Sequence, residues 1–445
     1  MPERQVTTAA HGHLLTNAAV WSPDARWIVY DTRSSPDGSV FDGTRIERVE
    51  VATGRVEVLY ESQHGGCCGV VTASPVDDRV VFILGPEHPT ADWRYGPARR
   101  QGVVLRAGRP GIAEPLDARD LVPPFTPGAL RGGSHVHLFS PDGRLVSFTY
   151  EDAVLDAPPG AAAAGLSRQK NLRGVGVSVC GRPVRVPATH PRNHDGSAFT
   201  VLLAQLIDVP AVGSDEISRA CEEAWIGTDG YLRPDGSRQR RAIAFQGTVS
   251  VPGGAAGEPR TISEVFVCDL PDAPAELEIA GDHPLTGTLA TRPAPPRGVV
   301  QRRVTFTADR QHPGIQGPRH WLRSSPDGSR IAFLMRDDAG IVQLFTVSPN
   351  GGAPLQLTRD GGNVAGCFTW SPDGRRIACV ADDAVRLIDA EGGGSLRLTT
   401  ADSAVGPPRP EACVFAPDGR QVAFMRHVAG SSGRHNQIFV VDVPL

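Results

Sequence analysis

Along the chain, short runs of alternating apolar residues recur directly after one kind of polar turn. Ser22-Pro23-Asp24-Ala25 precedes Trp27-Ile28-Val29-Tyr30, and Ser74-Pro75-Val76-Asp77 precedes Val80-Val81-Phe82. The pattern returns at Ser140-Pro141-Asp142-Gly143, Ser325-Pro326-Asp327-Gly328, Ser371-Pro372-Asp373-Gly374 and Ala416-Pro417-Asp418-Gly419. A weaker copy, residues 227–230, has its strand delayed to Ala242-Ile243-Ala244-Phe245. In such a turn proline presets φ, aspartate bonds the backbone two residues on, and glycine takes the left-handed position, so each copy predicts two antiparallel strands. A third strand comes next in runs such as Gln343–Val347 and Gln437–Val441, and a fourth ends in Leu-Thr, as at Leu357-Thr358 and Leu398-Thr399.

Seven units of four strands are the arithmetic of an all-β, seven-bladed β-propeller of antiparallel blades, one domain over residues 1–445. Blade turns fall near 22–25, 74–77, 140–143, 227–230, 325–328, 371–374 and 416–419. The last unit stops after its third strand. The segment His13-Leu14-Leu15-Thr16 carries the missing Leu-Thr pattern and is expected to close the last blade. The middle blades carry insertions at about 156–170, 208–225 and 281–300. The first is expected to be a loop. The second reads as a helix from Ser214 to Trp225, with Ser214 as its cap and Ile217, Ala220, Cys221 and Ala224 on one face. The third is proline-rich and irregular. Insertions on a rigid scaffold usually shape a binding face.

Composition narrows the partners. Of 445 residues, 45 are Lys or Arg and 49 are Asp or Glu, a net charge of −4 that gives no reason to expect nucleic acid. No apolar run is long enough for a membrane helix and the first residues hold no signal-like segment, so cytoplasm is the default expectation. The eight cysteines form no CxxC pair and read as small residues of a reduced protein. There is no GxSxG elbow, and a P-loop is excluded because Lys170 is the only lysine.

In a propeller the innermost strands line a central channel. Five residues before each turn stand Asn17, Gly69, His135, Glu222, His320, Gly366 and Glu411. Alternation would place His137 on the same face as His135. Imidazoles with carboxylates suit a divalent metal such as Mn or Zn, so His135, His137, Glu222, His320 and Glu411 are the metal-ligand candidates, against a reading of simple polarity in a water-filled channel. His194 is a candidate general base, and Arg319 and Arg323 are candidate clamps for an anionic substrate.

The repeated turn-and-strand units resemble the TolB-type propeller repeat. The strings 133–143, 193–197, 213–220 and 312–321 are similar to those of the YidR-like bacterial propellers. The His135-x-His137 string before a blade turn also resembles that of oligogalacturonate lyases, seven-bladed propellers that hold manganese and cleave pectic fragments by β-elimination. Gly132 and Glu222 depart from that pattern, which has glutamine and histidine there. That resemblance implies a metal binding a uronate carboxylate, with His194 or His320 as the base. Two functions are open: a scaffold binding a small acidic sugar or a protein on its insertion-rich face, or a metal-dependent lyase of acidic oligosaccharides.

Overall fold

The computed structural model describes residues 3–35, 37–158, 165–253, 257–400, 405–430 and 433–444. Seven four-stranded sheets form the ring of a β-propeller. The innermost strands are Gly12–Leu14, Cys68–Ala73, Gly132–Phe139, Ala220–Trp225, Arg323–Ser324, Val364–Trp370 and Val405–Phe415, in blades 1 to 7. Among the described residues helix is confined to single turns such as Ala153–Asp156, which Asp152 caps by accepting from the Leu155 N–H. Part of the 156–170 insertion, residues 159–164, lies outside the described residues.

The repeated turn works as its residues require. In four blades the serine hydroxyl donates to the aspartate two residues on, at 2.5–2.6 Å, while the glycine or Ala25 N–H closes the turn onto the serine carbonyl. A tryptophan leading into the turn ties neighbouring blades together in three places. The indole N–H groups of Trp21, Trp225 and Trp370 donate to Val414, Leu138 and Arg323 carbonyls on the preceding blades, at 3.0–3.1 Å. Apolar side chains fill the wedges between blades rather than a central core; Val20, Trp21 and Ile28 of blade 1, for example, pack on Val414, Met425 and Ile438 of blade 7.

An N-terminal strand closes blade 7, but it is not His13–Thr16. Glu3–Gln5 pairs antiparallel with the strand Gly433–Asp442, Glu3 opposite Val441 and Gln5 opposite Phe439. The decisive residue is Thr7. Its hydroxyl donates to Gln437 at 2.8 Å and accepts from the Ile438 N–H at 2.9 Å. Thr358 plays the same part in blade 5, bonding Gln343 and the Leu344 N–H. Gly12–Leu14 instead pairs with Trp27–Arg33 as the innermost strand of blade 1.

The expected helix at Ser214–Trp225 is also overturned. Ala220–Trp225 is the innermost strand of blade 4, paired with Ala242–Val251. Ser214 donates to the Ala211 carbonyl in a turn. Sheet pairing with Gly247 to Ile243 outweighs an apolar pattern that fitted a helical face equally well.

Because each innermost strand runs toward its Ser-Pro-Asp turn, the strand 2–3 loops and the crossings between blades emerge together on the opposite face. The loops after Ile83, Asp152 and Val251 lie there, as do the segments leading into His135, Glu222 and His320.

Candidate functional site

The innermost strands bulge where they reach the channel. In blade 3 the ladder is broken between His135, opposite Thr149, and Leu138, opposite Ser147, with Val136 at φ +56°. Blades 2 and 4 break the same way, around Val70 at +57° and Glu222 at +54°. Strand alternation therefore does not hold across His135-Val136-His137, and the two imidazoles face different surroundings. The bulge in blade 4 also makes Cys221, not Glu222, the counterpart of His135.

His137 is fully buried between blades 2 and 3. The Ser134 hydroxyl donates to Asp117 at 3.0 Å, and so the His137 Nε2–H donates to Ser134 Oγ at 3.0 Å. The Gly102 N–H completes the group on Asp117. A side chain at Gly102 would place Cβ 2.5 Å from His137 Nε2, so the cluster requires glycine there. Burial pushes the Asp117 carboxyl up to about 6 and the His137 imidazole down to about 3. Serine, histidine and aspartate are in contact, but the serine donates to the carboxylate, so the imidazole is not placed to take its proton. This group lies between blades 2 and 3, where the apolar cluster is small among the described residues: Val81, Leu116, Phe139, Val146 and Ala198, with Val104 and Cys180 packed against them.

His320 is held by backbone on both sides. Its Nδ1–H donates to the Pro318 carbonyl at 2.9 Å, and its Nε2 accepts from the Leu334 N–H at 3.0 Å. Both nitrogens are taken, and burial lowers its pKa to about 4. Glu222 accepts from Arg319 at 2.8 Å, and Glu411 is paired with Arg409. Arg323 reaches Asn17 of blade 1, donating to its side-chain and main-chain oxygens. His194 heads the outermost strand of blade 3, paired through its backbone with Arg119, and burial holds its imidazole near 3.

His135 differs from these. It is buried, yet its ring makes no hydrogen bond among the described residues. Burial lowers its pKa well below the ordinary value, and the charges of Arg100, Arg173 and Arg319 lower it further. Backbone packing builds this arc. Pro97–Arg100 lies against Gly133, where a Cβ would come within 2.7 Å of the Arg100 nitrogen. Gly133 is opposite Glu151, which pairs with Arg173 at 2.5 Å, and the Arg173 carbonyl accepts from Ala220 of blade 4. Arg319 stacks on Trp321 at 4.5 Å with its side chain 56% exposed. Arg100 has no carboxylate partner among the described residues and lies 5.3 Å from the Tyr95 ring. Sequence reasoning found His135 and Arg319 but missed Arg100 and Arg173; each stands directly before or near the start of a strand on the insertion face, a regularity that was legible.

Beyond the bulge of blade 4, the Glu223 carboxylate is fully buried against Thr149 of blade 3. Thr149 donates to its Oε2 at 2.8 Å while Oε1 has no partner among the described residues. Burial raises its pKa to about 7.

Similarity to known proteins now fixes the family. The chain is 44% identical to the Escherichia coli K12 protein YidR, described as uncharacterized, over 423 residues, covering 95% of this chain and 94% of the relative. The chain belongs to the YidR family. Residues 67–194, which contain the Ser134–His137 string, match a family described as a protein of unknown function, DUF3748. Among solved structures, an oligogalacturonate lyase in complex with manganese superposes with a TM-score of 0.53 at 12% identity, covering 99% of this chain and 92% of that one. A puromycin hydrolase gives 0.52 at 13% identity, and this chain spans 52% of its length. At these identities the likeness is one of fold.

The donor set of this chain does not fit a manganese centre. Among the described residues no three His, Cys, Asp or Glu side chains group to hold a metal. His320 has no free nitrogen, His137 faces an interblade wedge, and Glu222 and Glu411 are neutralised by arginines. No helix among the described residues is long and apolar enough to cross a membrane.

Proposed function

We propose that this propeller is a scaffold that binds a small anionic ligand, an acidic sugar, on its insertion-rich face, over His135. The observation that carries the reading is the convergence of Arg100, Arg173 and Arg319, from three blades, around one buried imidazole with unoccupied ring nitrogens. Guanidinium groups present planar donor pairs that match carboxylates. Arg100 is the strongest contributor, because no carboxylate of the described residues neutralises it. Arg319 is exposed and only singly paired, so it can turn to a ligand. His135, kept neutral by its surroundings, would offer one N–H donor to a hydroxyl or carboxylate oxygen without adding charge.

The test is calorimetric titration with trigalacturonate at low salt, with the neutral galactose trimer as control. The acid should bind and the neutral sugar should not. Arg100→Ala and His135→Ala should each weaken binding about tenfold, and added chelator should change nothing. Equal binding of the two sugars, or indifference to Arg100→Ala, would remove the proposal. Unsaturated uronate appearing on addition of manganese would replace it with the lyase reading.

A further inference from the structure

A second site lies away from the channel, where the proline-rich segment Gly281–Arg297 straps across the edge of blades 3 and 4. Beneath it is a cavity of about 440 Å³, within the range of small-molecule sites. Its wall is mainly apolar, with Leu172, Leu202, Ala204, Leu206, Pro284 and Pro295 on the lining. The strap is held in place from below. Arg131, itself fully buried and paired with Asp152 at 2.7 Å, donates to the Thr288 and Thr291 carbonyls. Arg292 returns the contact by donating to the Leu206 and Lys170 carbonyls at 2.8 Å and pairing with Asp208. The cavity is thus built by fixed hydrogen bonds and not by loose packing.

The charges around it are already matched. Arg131 is paired with Asp152 and Arg292 with Asp208, and His283 stands at the exposed rim, so no unpaired guanidinium or carboxylate of the described residues meets a ligand in the wall. One polar group stands out. Tyr150 lines the cavity at 1% exposure, and its hydroxyl, although close to the Asp152 carboxylate and the Arg131 main chain, meets no well-aligned hydrogen-bond partner among the described residues. A buried hydroxyl without a partner is destabilising unless something accepts from it. Burial, and after it the nearby Asp152 carboxylate, raises the Tyr150 pKa well above its ordinary value, so this hydroxyl stays a donor.

We infer that this cavity binds an uncharged, largely apolar small molecule carrying one hydrogen-bond acceptor, which takes the Tyr150 hydroxyl. The site is independent of the arginine arc over His135, and either can fail alone.

Fluorescence titration with three probes tests it: 2-acetylnaphthalene, naphthalene and 2-naphthoate. The ketone should bind saturably at one site per chain, and the carboxylate at least tenfold more weakly. Tyr150→Phe should weaken the ketone about tenfold and leave naphthalene within twofold. Ala294→Trp, which fills the cavity from a half-buried strap position, should abolish binding of both. Gln205→Trp at the exposed rim does the same without touching the interior, which guards against a folding defect in the first variant. Absence of saturable binding, undiminished binding in both tryptophan variants, preference for the naphthoate, or an unchanged ketone affinity in Tyr150→Phe would each overturn the inference.

Discussion

The Arg323 guanidinium of blade 5 donates to both the side-chain and the main-chain oxygen of Asn17 in blade 1. Blades 1 and 5 are not neighbours in a ring of seven, so this contact crosses the channel. The charge is costly where it sits: burial lowers the Arg323 pKa to about 10. It acts as a strut across the channel, and its charge only weakly opposes the rise that burial imposes on the Glu223 carboxyl.

Removing the strut should therefore be felt as stability. Asn17→Ala leaves the Arg323 charge with fewer acceptors and should cost about 2 kcal/mol. Arg323→Met, which replaces the charge by an apolar chain of similar length, should cost less. A double-mutant cycle read by urea unfolding should give a coupling of about 1 kcal/mol or more. Additive effects would mean that the strut carries no load.

Glu223 predicts a pH dependence of definite sign. Its folded pKa, about 7, is above the ordinary glutamate value, so the folded state binds more protons than the unfolded one between about 4.5 and 7. The favourable contribution is fully present below about pH 4.5 and is lost as pH rises through 7. Glu223→Gln keeps an acceptor for Thr149 and removes the titration. Relative to wild type it should gain on the order of 3 kcal/mol between pH 4.5 and 8, seen as a difference between the two stability curves. Parallel curves would show that Glu223 is ionised throughout.

Much of the fold was legible because the Ser-Pro-Asp-Gly turn has a hydrogen-bond logic that repeats with the blades. The closing strand was misplaced because Leu15-Thr16 and Val6-Thr7 fit the same composition. Only the register tells that the Thr7 hydroxyl, and not that of Thr16, meets Gln437 and Ile438. The channel residues were half legible. Counting back from the turns found Asn17, His135 and His320, but bulges around Val136 and Glu222 turn the next side chains to another face. Arg100 and Arg173 stand directly before the third strands of blades 2 and 3, a regularity that counting along the innermost strands passes over.

His135 and His320 occupy equivalent places and should respond oppositely to substitution. His320→Ala strands the Leu334 N–H and the Pro318 carbonyl in the interior and should cost about 3 kcal/mol. His135→Ala breaks no hydrogen bond to the described residues and should change stability by less than about 1 kcal/mol while weakening the acidic ligand. Thermal unfolding of the two variants side by side distinguishes them. A large loss for His135→Ala would make it a structural residue too.

Glu222 restrains Arg319 at 2.8 Å and thereby competes with any anion at the channel mouth. Glu222→Gln should loosen that pairing and strengthen trigalacturonate binding about threefold, the reverse of what loss of a metal ligand would do. The gain should shrink as salt is raised, since it is electrostatic. Weaker binding in this variant would mean that Glu222 itself contacts the ligand.

The ring is closed by few residues, and Thr7 is the one whose loss is most readable. Thr7→Val keeps the β-branched shape and the strand propensity but leaves the Ile438 N–H without its acceptor and Gln437 without its donor. That should cost about 1–2 kcal/mol. Because Glu3–Gln5 covers an edge that would otherwise be open, the variant should also expose the 433–442 strand to amide exchange before the other blades. The matched control is Thr358→Val in blade 5, where the same two bonds are lost but both partners belong to one continuous stretch of chain. It should lower stability by a similar amount without early exchange at residues 433–442. Equal exchange behaviour in both variants would mean that the N-terminal strand is not what keeps the ring shut.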